Sequence, residues 1–239
     1  MSLDLPSLAW VVLAISALVI GVAKTSIGGM GALAVGGFAL VMPAKESTAA
    51  VLLLLIIGDV VAVASYRRSA DWALLRRLLP AVVPGIVLGA LLMTIVIALC
   101  ILVALGLQLA QRLRPTAGLA PSGHPHLSAT IAAGSAAGFT TMVANAAGPV
   151  MALYLLAARV DKARFVGTNA WFFLLVNVTK VPFSAGLGLF PTTLLLTLAL
   201  TPVVLVGTWL GRRLLRVIGQ QLFERLTMAA AAVAGVLLL

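Results

Sequence analysis

The sequence is poor in the side chains on which most soluble proteins and enzymes depend. Only 9% of its 239 residues are charged, six are acidic, two are histidines and one is a cysteine. The single cysteine, Cys100, excludes an internal disulfide. His124 and His126 lie in a loop with prolines and support neither a metal site nor an intramembrane proton relay. Without paired carboxylates or a buried serine beside a histidine, no enzyme is indicated, and we expect no cofactor or metal.

Apolar side chains are what the sequence has in abundance. They make up 62% of the chain, and the mean hydropathy is +1.19. Most of the chain must therefore lie in lipid, and we predict an all-α integral membrane protein. The net charge of +10 would suggest nucleic acid in a soluble protein, but the basic residues form short clusters between apolar runs. That pattern is typical of membrane loops, so no nucleic-acid partner is expected. No basic residue precedes the segment that starts at Leu8, so we expect no cleavable signal peptide.

Two apolar segments are too long for a single crossing. Residues 8–42 form a run of 35 residues, and residues 127–158 form a comparable run. Because a crossing needs about 20 residues, both segments must bend or break. Residues 78–109 are read as two short crossings with a bend near Thr94. The other membrane segments are predicted at residues 44–64, 165–184, 192–210 and 226–239, with basic loops around residues 67–77, 112–114, 159–164 and 212–225.

The two long segments begin two similar halves. At an offset of 117 residues, Gly31 aligns with Gly148 and Lys45 with Lys162. Each half has the same order of one long broken segment followed by about three helices, which indicates a repeat. The predicted organisation is a first repeat at residues 1–114, a linker at 115–126 and a second repeat at 127–239.

The positions of the basic residues predict the topology. If each long segment enters and leaves the membrane on one side, 13 of the 16 Lys and Arg residues fall in loops on a single side. The positive-inside rule then places these loops in the cytoplasm and both termini outside it. Each half contributes a re-entrant hairpin and three crossings, so the halves have opposite orientations. Inverted repeats with broken helices are typical of secondary transporters.

The breaks in the long segments are predicted to hold an anion. The glycines at residues 28–31 precede a half-helix from about residue 32 to 42, whose free amides and dipole favour negative charge. Pro149 suits the start of the matching half-helix in the second repeat. The predicted substrate-binding residues are Lys24, Thr25, Ser26, Gly28, Gly29, Gly31, Thr141, Asn145 and Gly148.

Each polar candidate also has a structural explanation. Lys24 is interpreted as a cation that meets an anionic substrate, or as a snorkelling side chain or structural ion-pair partner. Thr25 and Ser26 would add hydroxyl donors. Thr141 and Asn145 fit a substrate contact and polar packing between helices equally well.

Four further residues are candidates for ion coupling or for the transport pathway. Asp59 is the one acidic residue deep in an apolar segment; it would carry a coupling proton, offset a buried lysine, or serve as a neutral hydrogen-bond partner. Lys180 fits a substrate role or snorkelling. Asn169 and Asn177 lie two helical turns apart and fit a pathway or helix packing.

Several stretches of the sequence resemble a known family. They include GVAKTSIGGMGAL, PAKESTAA and YRRSADWALLRRLLPAVVPGIVLGALL in the first half, and NAAGP, RVDKARFVGTNAWFFLLVN and GTWLGRRL in the second. These stretches resemble the TauE/SafE sulfite exporter family of membrane transporters. The resemblance implies export or permeation of sulfur-containing anions such as sulfite, thiosulfate or organosulfonates across a prokaryotic inner membrane. Residues 78–109 are shorter than the family pattern.

The functional prediction is a secondary transporter for small sulfur-containing anions that works by alternating access. No nucleotide-binding motif is present, so the energy is expected to come from an ion or substrate gradient. An anion channel and a membrane-embedded assembly partner are the alternatives. The sequence leaves open which anion is carried and whether the protein forms a homodimer.

Overall fold

The structure, a computed structural model, describes residues 6–91, 131, 147–186 and 190–237. All regular structure within these ranges is α-helical, which confirms the all-α part of the predicted fold class. Three of the described helices are long and apolar enough to cross a membrane, over Ser7–Thr25, Glu46–Tyr66 and Leu194–Val217. In chain order, the eight described helices are α1 (Ser7–Thr25), α2 (Gly31–Val41), α3 (Ala44–Tyr66), α4 (Trp72–Leu91), α5 (Ala147–Ala157), α6 (Lys162–Gly186), α7 (Phe190–Val217) and α8 (Gln220–Leu237).

The first long apolar segment is broken at its glycines, as predicted. Helix α1 ends at Thr25 and α2 begins at Gly31. Between them, Gly29 has a φ of 91°, which glycine adopts without the strain that a side chain would bring. Helix α2 then packs back along α1, because Gly37 lies so close to Ser16 that a Cβ at Gly37 would overlap the serine Oγ. The segment is therefore a helical hairpin.

Glycines also allow close packing between α1 and α7. Gly21 of α1 lies against the backbone of Val204 and Thr208, and Gly207 of α7 lies against the carbonyl of Leu18. Small residues at such contacts let the backbones of membrane helices approach. Side chains of both helices, together with side chains of α2 and α3, form a buried apolar cluster. Its members include Leu13, Ile20, Phe38, Leu54 and Leu200.

Helices α3 and α6 pack against each other in opposite directions. Asp59 of α3 contacts Asn177 of α6. Farther along α3, the carbonyl of Tyr66 lies against Gly167, which comes earlier in α6. Since α3 and α6 come from different predicted halves, the halves share a common interior.

The predicted basic loop at residues 67–77 is shorter than expected. Asp71 caps α4, because its Oδ1 accepts hydrogen bonds from the amides of Ala73 at 3.0 Å and Leu74 at 3.1 Å. Helix α4 begins at Trp72, so Arg76 and Arg77 are helical and not part of a loop.

The predicted basic loop at residues 212–225 is also wrong in its limits. Helix α7 continues to Val217, and α8 begins at Gln220, so the arginines of this region lie on helices. Arginine is a good helix former, and a cation near a helix C-terminus is stabilised by the helix dipole. A basic residue therefore marks where the apolar part of a segment ends, but not where its helix ends.

The basic residues gather where α3 ends, α6 begins and α7 ends, which we call the basic end. Lys162 Nζ donates to the carbonyls of Leu215 at 2.8 Å and Ile218 at 2.6 Å. A guanidinium nitrogen of Arg212 lies 3.4 Å from Ser65 Oγ. These contacts bring the predicted basic regions at residues 159–164 and 212–225 together and place Arg212 beside the end of α3.

Several predictions lie outside the described residues. These are the linker at residues 115–126, the bend near Thr94 and the first part of the second broken segment, up to residue 146. Of that segment, the structure describes Ile131 and the half-helix α5, in which Pro149 is the third residue. The two repeats and their boundaries stay predictions.

Candidate functional site

A buried ion pair joins the hairpin to α3. Lys24 Nζ lies 2.7 Å from Asp59 Oδ1, and both side chains are almost completely buried. Asn177 Nδ2 donates to the other carboxylate oxygen of Asp59 at 2.8 Å. Of the interpretations that the sequence left open for Lys24 and Asp59, the structure shows the ion pair. Whether Lys24 also meets a substrate stays a prediction.

A second lysine lies near this ion pair. Lys180 is also buried and is close enough to interact electrostatically with both Lys24 and Asp59. Two lysines and one aspartate have a formal charge of +1. The ammonium group of Lys24 also lies 4.3 Å from the centroid of the Phe173 ring, a cation–π contact.

A small cavity of about 30 Å³ lies beside the ion pair. It offers space for about two or three water molecules. Asn169, which lines it, is buried, and its Oδ1 has no hydrogen-bond partner within the described part of the chain. Of the residues predicted for the site or the pathway, the cavity is lined by Lys24, Gly29, Gly31, Gly148, Asn169 and Asn177.

The starts of two half-helices meet at this cavity. Gly31 is the first residue of α2, and Gly148 is the second residue of α5. A Cβ at Gly148 would lie 3.4 Å from the Cα of Gly29, so the two backbones are almost in contact. The first amides of a helix have no partner within that helix, and the dipoles of α2 and α5 both place positive potential here.

Three predicted substrate-binding residues, Thr25, Ser26 and Gly28, do not line the cavity. The hydroxyl of Thr25 lies 3.0 Å from the carbonyls of both Gly21 and Thr208, and Ser26 Oγ donates to the carbonyl of Val22 at 2.7 Å. Both hydroxyls are therefore engaged in hydrogen bonds to backbone carbonyls near the break.

Gly28 packs against Phe165 and Ala152. Thr141 and Asn145 lie outside the described residues, so the structure places neither.

The sequence did not indicate four of the lining residues, Ala23, Ala32, Leu55 and Phe173. Three of them are aliphatic and carry no chemical signal. Phe173 follows Trp171 and Phe172, and the sequence alone does not tell which of three adjacent aromatic side chains faces Lys24. A lysine and an aromatic ring on different helices become partners only through tertiary packing.

The hydrogen bond from Asn177 to Asp59 is expected to stabilise the fold. Asn177→Ala should lower the free energy of unfolding by about 1 to 2 kcal/mol, because a bond to a charged group is lost inside the membrane. Detergent-solubilised protein titrated with SDS and followed by circular dichroism measures this change. Asn169→Ala is the matched control on the same helix, with a smaller expected loss because Asn169 Oδ1 makes no bond. Equal losses for the two variants would contradict the prediction.

Buried charges inside a bundle of apolar helices, beside the starts of two half-helices, define the class of protein. Ionisable residues at such depth are typical of transport sites, as are broken helices that point at an anion. Together, these features are typical of a membrane transporter.

The family profile described as Sulfite exporter TauE/SafE matches residues 13–238, nearly the whole chain. The chain belongs to this family of membrane transporters, which confirms the resemblance found in the sequence. No curated protein and no solved structure matches the chain.

Proposed function

We propose that the protein is a secondary transporter that moves small sulfur-containing anions across a prokaryotic inner membrane by alternating access. The substrate binds in the cavity beside Lys24. The family supports a membrane exporter of sulfite or a related anion. The observation that carries the proposal is the buried cluster formed by the ion pair of Lys24 and Asp59, with Lys180 close by, next to this cavity.

The charge of the cluster favours an anionic substrate. Charged groups buried in protein or lipid lose hydration, which costs several kcal/mol for each ion unless other charges compensate. Asp59 compensates one lysine, so a single bound anion would bring the cluster to neutrality. The dipoles of α2 and α5 act in the same direction.

The donors around the cavity suit an oxyanion. An anion with three oxygens accepts hydrogen bonds from several directions, here from Lys24 Nζ, from the amide group of Asn169 and from backbone amides near Gly31. The cavity has space for only a few water molecules. Sulfite therefore fits better than a larger organosulfonate, for which the site must widen.

The packing of the described helices supports an inverted repeat. Helices α2 and α5 have 11 residues each, and their starts meet at the cavity. Helices α3 and α6, which are equivalent in the proposed repeat, run in opposite directions. In this topology the basic end faces the cytoplasm and both termini lie outside it.

Asp59 is our candidate for ion coupling. An anion that binds Lys24 competes with the Asp59 carboxylate for the same ammonium group. Once displaced, the carboxylate keeps Lys180 and Asn177 as neighbours, and uptake of a proton would remove its negative charge. Anion movement would then be linked to proton movement.

Transport by the purified protein tests the proposal. In proteoliposomes loaded in turn with sulfite, thiosulfate, sulfoacetate, phosphate or chloride, we expect sulfite efflux at least tenfold faster than chloride efflux, since the site offers several donors to an oxyanion. Liposomes without protein are the control. Equal rates for sulfite and chloride would exclude the proposed selectivity. Single-channel currents far above carrier turnover would select a channel, and absence of all flux would favour an assembly partner.

A further inference from the structure

A second cavity lies at the basic end, between α3, α6 and α7. Its volume is about 450 Å³, which is within the range of small-molecule sites. Three cations line it, Lys162, Arg212 and Arg216, together with Ser65 and Tyr66. None of the lining residues is acidic, so the cavity has a formal charge of +3.

The arginines of this cavity are the groups best placed to bind a ligand. Lys162 is held by the carbonyls of Leu215 and Ile218. In contrast, Arg212 Nε is buried without a hydrogen-bond partner, and neither Arg212 nor Arg216 has an ion pair within the described part of the chain. A buried donor without an acceptor is costly. A ligand that supplies charged acceptors would remove that cost, and phosphate oxygens match the geometry of a guanidinium group.

An apolar stripe on α7 leads from the bilayer to these arginines. Leu198, Leu205 and Trp209 are spaced by seven and four residues, so they lie on one face of the helix. They are exposed by 59%, 44% and 48%, respectively. Arg212 and Arg216 continue the same face by steps of three and four residues. This face of α7 is thus apolar along most of its length and cationic near the C-terminal end of the helix.

We propose that this cavity binds the phosphate of an anionic phospholipid whose acyl chains lie along the stripe of Leu198, Leu205 and Trp209. Free phosphate shares the headgroup chemistry but would leave the stripe unused. Basic pockets between membrane helices are known to hold anionic headgroups. This site is separate from the cavity at Lys24 and does not depend on the transported substrate.

Lipid binding to the intact protein tests the inference. Native mass spectrometry with phosphatidylglycerol and phosphatidylcholine of equal chain length gives the apparent Kd of each lipid. We expect phosphatidylglycerol to bind at least tenfold more tightly. Arg212→Gln should weaken its binding about tenfold, and the exposed Arg216→Gln about threefold. Arg225→Gln is the matched control, because Arg225 of α8 is exposed, does not line the cavity and does not belong to the stripe.

Four outcomes would overturn the inference: equal binding of the two lipids, unchanged binding in both Arg212→Gln and Arg216→Gln, an equal loss in Arg225→Gln, or displacement of phosphatidylglycerol by inorganic phosphate. The last would show a site for free anions. Size-exclusion profiles establish that each variant is folded, and Arg216→Gln decides the question should Arg212→Gln fail to fold. Because no transport is measured, failure of this inference leaves the proposed transport function untouched.

Discussion

Lys24→Ala is expected to reduce sulfite transport in proteoliposomes about a hundredfold. The substitution removes the cation nearest to the cavity and leaves the charge of the cluster neutral instead of +1. Truncating one partner of a buried charge pair costs about 2 to 5 kcal/mol, or about 30-fold to several thousandfold, and the expected loss lies within this range. Initial rates at several sulfite concentrations measure the effect. If the variant transported sulfite as fast as the parent, Lys24 would have no role in the site.

Two further variants separate the loss of function from the loss of folding. Lys24→Ala leaves Asp59 without its closest counterion, and breaking a buried pair in this way destabilises a protein by about 3 to 5 kcal/mol. The double variant Lys24→Ala/Asp59→Asn removes the ion pair and leaves Lys180, so it should recover part of the stability. It should not recover transport, because the ammonium group that lines the cavity is absent. Asp59→Asn alone keeps the cation, and we expect it to transport sulfite without a response to an imposed pH gradient. A pH-driven flux in Asp59→Asn would exclude Asp59 as the coupling group.

Gly21→Ala is expected to destabilise the protein by about 3 kcal/mol. A Cβ at Gly21 would collide with the backbone of Val204 and Thr208, and backbone atoms cannot move aside as the end of a side chain can. Helices α1 and α7 would have to separate, which is overpacking at the upper end of its usual cost. Unfolding of detergent-solubilised protein by SDS, followed by circular dichroism, measures the change. Gly207→Ala should behave alike, because its Cβ would meet the carbonyl of Leu18.

Gly36→Ala is the matched control for this prediction. Gly36 lies within α2, and a Cβ there meets no atom of another described part of the chain within 4 Å. Alanine is the better helix former by about 1 kcal/mol, so this variant should be neutral or slightly more stable. If Gly21→Ala were as stable as Gly36→Ala, the close approach of α1 and α7 would be refuted.

The break in the first long segment shows what local composition can and cannot predict about the helices. A run of 35 apolar residues exceeds one crossing, and the glycines at residues 28–31 are where a helix is easiest to interrupt. The observed start of α2 at Gly31 is within one residue of the prediction. The limits of the arginine-rich regions were wrong, because arginine ends an apolar run without ending a helix. Local composition therefore predicted the interruption but misjudged the helix ends.

The sequence by itself determined that the protein is helical and lies in a membrane, and it identified the family and the polar residues of the interior. The family follows from the resemblance of several stretches, and the other conclusions follow from hydropathy, glycine content and the scarcity of acidic residues. All of these are properties of the chain and need no contacts. Only the tertiary structure decided which of these residues meet. Lys24 and Asp59 are 35 positions apart, and Asn177 is a further 118 positions away. Their pairing depends on how α1, α3 and α6 pack. A buried charge must be compensated by groups that lie close to it in the fold, whatever their separation in the sequence.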